Sequence, residues 1–123
     1  MDKEFEEKVY TVISEFMISV NSMDTVVLRE RFGVTAPILD EMVECLSDYF
    51  GQKVDISLAP ADVAFSGKVG SRPYIDVYEM NDAKIWGVEC VIWVDGKAAE
   101  PILHVELFDN DGSLGLRYKY IGS

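Results

Sequence analysis

The sequence predicts an α+β fold: N-terminal helices packed on a curved antiparallel β-sheet meander. Three observations carry that prediction. Apolar residues recur every three to four positions as far as Phe50. From Val54 onward the apolar period is two. Two Asp-Gly pairs, Asp95-Gly96 and Asp111-Gly112, then separate runs rich in Val, Ile, Tyr and Trp, as tight hairpins require. At 123 residues the chain is expected to be a single α+β domain, with residues 1–51 helical and 52–123 forming the sheet.

The first helix is read from Phe5, Val9, Val12, Ile13, Phe16 and Val20, with acids in its first turn, and should end near Asn21-Ser22. A short second helix is capped by Asp24 and closed by Gly33. The third starts at Thr35 with Pro37 in its first turn, buries Ile38, Leu39, Met42, Val43, Leu46 and Phe50, and stops at Gly51. Val54, Ile56 and Leu58 predict a short strand ended by Pro60. Residues 60–72 read as loop. Tyr74–Met80, Ile85–Val94, Ile102–Asp109 and Leu114–Ile121 are the remaining strand candidates.

Turns at the two Asp-Gly pairs set a register. Leu107 faces Leu116, Val105 faces Tyr118 and Leu103 faces Tyr120, with Glu106 opposite Arg117 and His104 opposite Lys119. In the preceding hairpin Ile92 faces Ala99, Val88 faces Leu103 and Trp86 faces Val105. A longer loop through Ala98–Pro101 would shift that pairing by two and keep its parity. The core face is then Trp86, Val88, Cys90, Ile92, Leu103, Val105, Leu107, Leu116, Tyr118 and Tyr120. The other face carries Glu89, Val91, Trp93, Ile102, His104, Glu106, Phe108, Arg117, Lys119 and Ile121. Val91, Trp93, Ile102, Phe108 and Ile121 form an apolar patch for which a homodimer interface, a partner site and a covering loop or terminus are the open explanations.

Charge bounds the function. The formal net charge of −11 disfavours nucleic acid and anionic membrane surfaces as ligands and favours a basic partner. Asp40, Glu41, Glu44 and Asp48 fall in a stretch with no Lys or Arg between Arg31 and Lys53. Asp40, Glu44 and Asp48, spaced i, i+4, i+8, line one helical stripe. Such like-charge pairs weaken a helix by roughly 0.2–0.5 kcal/mol each. The stripe is either a solvated face that keeps the protein soluble or a landing surface for a basic partner. No signal-peptide pattern or membrane-length apolar run is present, so a cytoplasmic protein with reduced Cys45 and Cys90 is expected.

The sequence has no Gly-rich phosphate loop, no Gly-x-Ser-x-Gly and no His-Glu-x-x-His. Asp109-Asn110-Asp111-Gly112 begins like a calcium loop but runs into a strand without the late Glu, and reads as a turn. His104 with Glu89 and Glu106 has the composition of an acid–base group. A lone His on an outer strand face is more often structural. No catalytic residue, cofactor or metal is assigned.

Helices followed by a long antiparallel meander resemble the cystatin-like or nuclear transport factor-like superfamily, in element order and size over most of the chain. The resemblance implies a cone closed by sheet and helices. It also implies a choice between small-molecule binding or catalysis inside the cone and dimerisation through the outer sheet face. Size and acidity are also similar to those of bacterial immunity proteins, which neutralise a basic nuclease toxin.

The leading expectation is therefore a non-enzymatic acidic binding protein, in the manner of a bacterial immunity protein that inhibits a basic toxin. Asp40, Glu41, Glu44 and Asp48 are the candidate partner-binding residues, with Asp76, Tyr78, Glu79 and Asp82 from the following segment and Trp93 as an interface anchor. The rival is a ligand-binding or catalytic cone lined by Phe16, Met42, Trp86, Cys90, Tyr118 and Tyr120. A structural homodimer is the third reading.

Overall fold

The computed structural model describes residues 1–82 and 84–122. It is an α+β fold: helices α1 (Lys3–Asn21), α2 (Thr25–Phe32) and α3 (Ala36–Phe50) precede all the strands. Local chemistry explains the helix ends. Asp2 caps α1 by accepting the Phe5 amide at 2.7 Å, and Asp24 caps α2 by accepting that of Val27 at 3.1 Å. Thr35 precedes α3 without a side-chain cap bond, and Pro37 opens its first turn. Gly33 and Gly51 end α2 and α3 at φ 68° and 71°, the left-handed conformation that glycine tolerates best.

Strands β1 (Lys68–Val69) and β2 (Arg72–Pro73) form a small hairpin. The main sheet is an antiparallel meander in the order β3 (Ile75–Glu79), β4 (Ile85–Val94), β5 (Lys97–Asn110) and β6 (Ser113–Gly122). Both Asp-Gly turns have positive φ at each residue, 52° and 75° for Asp95-Gly96 and 51° and 90° for Asp111-Gly112. One side of the sheet packs on the helices. Phe5 meets Trp86 at 5.0 Å between ring centroids, and Phe16 lies between Phe32 at 5.3 Å and Tyr118 at 6.0 Å. Val88, Cys90, Ile92, Leu103, Val105, Leu107 and Leu116 complete that buried layer.

Three expectations are corrected. The predicted strand at Val54–Leu58 reduces to one antiparallel bridge between Ser57 and Trp93. The reason is Asn21 at the end of α1. Its side chain accepts the Ile56 amide and donates to the Ile56 carbonyl, both at 2.8 Å. The Ile56 backbone is thus satisfied by a side chain, and apolar alternation marks burial here without a strand ladder.

The second correction is the β4–β5 register. Trp93 pairs with Ala98, and beyond an irregularity Val91 pairs with Ile102, so Val88 faces Val105 and Trp86 faces Leu107. The Asp95-Gly96 turn stays tight, with Val94 opposite Lys97, so this shift of two arises at the irregularity and not from a longer loop, and it preserves parity. The third is a bulge between His104 and Val105 on the β5–β6 ladder: His104 pairs with Tyr120 and Leu103 with Ile121. Tyr120 is thereby turned out to 55% exposure, while Ile121 is buried at 8%. Lys119 is the extra residue of the bulge, no longer opposite His104.

Candidate functional site

The acidic stripe lies on the open side of α3. Leu39, Met42 and Leu46 are buried, and α3 rests on β5 and β6. Asp40, Glu41, Glu44 and Asp48 are exposed, and none joins an ion pair among the described residues. At its border with β6 a cleft of about 240 Å³ is lined by Glu41, Cys45, Tyr118, Lys119 and Tyr120 among others. The Cys45 thiol points at the Ile121 carbonyl, 3.6 Å away. Burial raises the Tyr118 phenol to about 12, helped by Cys45 and Glu41 and opposed by a backbone hydrogen bond at Ile121.

The other sequence-derived candidates lie elsewhere. Asp76 and Tyr78 project from β3 on the sheet face away from the helices. Glu79 is an exposed residue of opposite parity and borders a cleft of about 310 Å³ with Asp2, Phe5 and Trp86. Asp82 is exposed in the link from β3 to β4. Because β3 and β6 are opposite edges of the sheet, the structure does not bring these residues together with α3.

Trp93 is half-buried, edge-on to Tyr74 at 5.2 Å, with its indole N–H buried and without a hydrogen-bond acceptor among the described residues. The apolar patch predicted around it is not open. Val91 and Ile102 are buried at 1% and 4%, and Ile121 faces inward. Tyr74 binds the Val91 amide through its carbonyl at 2.8 Å, and Arg72 reaches Glu89 at 3.0 Å. The segment entering β3 thus closes one end of the face, and Phe108 is the half-buried remainder of the patch.

The open end of that face holds a group of titratable side chains. His104 stacks on Tyr120 at 4.0 Å, with planes 13° apart. Glu89 stands opposite His104 on β4. Glu106 accepts from Arg117 at 3.4 Å, and the Lys119 ammonium is 3.8 Å away. Tyr78 lies across Gly87, where an added Cβ would come within 2.3 Å of the ring, and Phe108 covers Gly115 in the same way. Burial lowers the His104 pKa, with Arg72 adding to the shift and Glu89 opposing it. Burial raises Tyr78, with Glu89 and Asp76 the main charged contributors. These groups spread in a plane and are engaged with each other, an arrangement suited to contact with a surface.

Sequence reasoning missed Arg72, which lies in the presumed loop, and the outward Tyr120, which depends on the bulge. It also missed two grooves flanking α1. One, of about 460 Å³, is lined by Glu7 and by two ion pairs, Lys8–Glu4 and Arg31–Glu15. The other, of about 470 Å³, is lined by Glu6, Glu7, Tyr10, Asp62 and Phe65 with Lys3. The interior is filled: Phe16, Met42 and Cys90 are at most 1% exposed, and burial pushes the Cys90 thiol up strongly. Tyr120 does not line it, contrary to expectation. Among the described residues no group of three or more His, Cys, Asp or Glu is placed to hold a metal ion, and no helix is long and apolar enough to cross a membrane.

No protein-family model, no curated protein and no solved structure matches the chain.

Proposed function

We propose that this protein is a non-enzymatic acidic binding protein that engages a basic protein through α3, in the way an immunity protein covers the cationic active site of a toxin. The observation that carries this reading is the set of four exposed α3 carboxylates that join no ion pair among the described residues. A helix bearing like charges at i, i+4, i+8 gives up stability locally, and an external cation would offset that. The net charge of −11 adds long-range attraction, so association is fast at low salt and slows as salt rises. The free thiols Cys45 and Cys90 suit a reducing, cytoplasmic setting.

The test separates the stripe from bulk charge. One variant carries Asp40→Lys, Glu44→Lys and Asp48→Lys. A control carries Asp55→Lys, Asp62→Lys and Glu100→Lys, exposed acids outside α3, and has the same net charge. Both should remain folded, since exposed substitutions change stability by about 0.5 kcal/mol or less. Titration against a panel of basic nuclease domains at several salt concentrations reads affinity. The α3 variant should lose roughly tenfold or more with a flattened salt slope, and the control should lose little. Equal losses in the two would remove α3 as the contact.

A further inference from the structure

Strand β3 is one edge of the main sheet and pairs with β4 alone. Its ladder shows which of its backbone groups are used. The Met80 amide donates to the Ile85 carbonyl, and the Val91 amide donates to that of Tyr74, so the even-numbered residues of this segment bond to β4. By antiparallel alternation the N–H and C=O groups of Ile75, Val77 and Glu79 point away from β4. Among the described residues none of these groups has a hydrogen-bond partner. Such an edge is a template for one more strand.

Charge says what kind of strand fits. Between Arg72 and Lys84 the chain carries Asp76, Glu79 and Asp82 and no Lys or Arg. Asp76 and Glu79 join no ion pair among the described residues. Asp76 stands on the outer face of the sheet. Glu79 stands on the helix side, where it borders the cleft of about 310 Å³ with Asp2, Phe5 and Trp86. The two rings there are 5.0 Å apart between centroids, and no basic side chain lines the cleft. Aromatic rings beside carboxylates are the surroundings that a guanidinium favours. We propose that β3 receives an extended basic segment of another protein as an added strand, with one arginine in this cleft and a second beside Asp76. Main-chain bonds to Val77 and Glu79 would give affinity, and the two acids would give specificity. Opposed residues on neighbouring strands share a face, so the two arginines are three residues apart and project to opposite sides. A second copy of this chain does not offer that pattern at its other edge. The cations of β6, Arg117 and Lys119, are two residues apart and both engaged by Glu106. Because α3 rests on β5 and β6, this site is separate from the α3 stripe and does not depend on the reading given for it.

The probe is the end-capped peptide Thr-Val-Arg-Thr-Val-Arg-Val-Thr, titrated to near-millimolar concentration into the isotope-labelled full chain and followed by NMR at physiological salt. The Val77 and Glu79 amides should shift and gain protection from hydrogen exchange, and the Trp86 indole should shift with them. Glu79→Lys should raise the peptide Kd roughly tenfold, and Asp76→Lys, at a more open site, roughly threefold. The isomer Thr-Val-Arg-Thr-Arg-Val-Val-Thr has the same charge but sets both arginines on one side, and should bind several-fold more weakly. Methylating both arginine amides removes the donor aimed at Glu79 and should weaken binding roughly tenfold with the charge unchanged. The α3 triple variant should stay within about threefold of the wild type. Far-UV circular dichroism checks folding, and a variant that lost its fold would be replaced by Asp76→Asn or Glu79→Gln, read for a smaller rise. Absence of any shift, equal binding of the isomer or of the methylated peptide, or shifts that fall on α3 in place of β3 would each overturn the proposal.

Discussion

The α3 surface and the outer face of the sheet handle charge in opposite ways. On α3 the carboxylates join no ion pair among the described residues, and the buried residues of the helix, Leu39, Met42 and Leu46, are apolar. On the sheet, acids and bases interleave across strands, as in Arg72–Glu89 and Arg117–Glu106, and aromatic rings fill the space above glycines. The contrast teaches that a net charge of −11 does not describe the surface of this protein. The helical residues 1–51 carry eleven acids against four bases, and residues 52–123 eleven against seven. The outer face of the sheet sets Asp76, Glu89 and Glu106 against Arg72, Arg117 and Lys119.

The largest effect that bears on this contrast comes from neighbours on one strand. Val88, 1% exposed between Val77 and Val105, belongs to the layer under the helices. Glu89 is on the interleaved face. Val88→Asp buries a carboxylate with no partner and should cost on the order of 3–5 kcal/mol, a large part of a typical domain's stability. Glu89→Ala removes a partly exposed pair with Arg72 and should cost below about 1 kcal/mol. Thermal melts of the two variants in the reverse order would show that the two sides of the sheet have been exchanged.

A smaller effect is expected where the interleaved face is shaped by a missing side chain. Gly87→Ala places a Cβ about 2.3 Å from the far end of the Tyr78 ring. Since Tyr78 is exposed, the ring can swing aside, and the change should cost about 1 kcal/mol or less. It should nevertheless shift the Tyr78 ring resonances in NMR, while binding through α3 is unaltered. A variant with unchanged ring resonances would mean that Tyr78 does not lie across this glycine.

The difference between the two regions also governs how much of each was legible in the sequence. The α3 stripe was fully readable, because helical phase is set by local residues: Pro37 and Gly51 mark the ends, and Leu39, Met42 and Leu46 fix the inward side. The sheet face was half readable. Its Asp-Gly turns and the pairing of Leu107 with Leu116 followed from local chemistry. The bulge did not, because Tyr120 and Ile121 are adjacent and both can serve as core residues. Ile121 takes the inward place beside Cys45 and sends Tyr120 onto His104, a choice made by packing. Arg72 reaching Glu89 and Asn21 holding Ile56 are likewise pairings between distant segments, for which periodicity carries no signal.

The smallest predicted effect lies where the two regions meet. Tyr118 has inward parity on β6 and lines the cleft that also holds Glu41 and Cys45 of α3 and Lys119 of the bulge. Burial raises its phenol from 10.0 to about 12, and the negative charge that would develop on it is further opposed by Cys45 and Glu41. A phenol that is harder to ionise in the folded state than in the unfolded one holds its proton longer when folded. Its stabilising contribution is therefore complete below about pH 10 and is lost as pH rises from there through about 12. Tyr118→Phe cannot ionise and should flatten the fall of melting temperature over that window, while lowering stability modestly at neutral pH where its hydroxyl interactions are lost. Reversing Glu41→Lys from the α3 side should ease Tyr118 ionisation and make the alkaline fall shallower. Melting curves from pH 9 to 12, followed by circular dichroism, check both. If Glu41→Lys left the alkaline profile of the wild type unaltered, α3 would be electrostatically separate from the sheet beneath it, and the two charge regimes would meet without influencing each other.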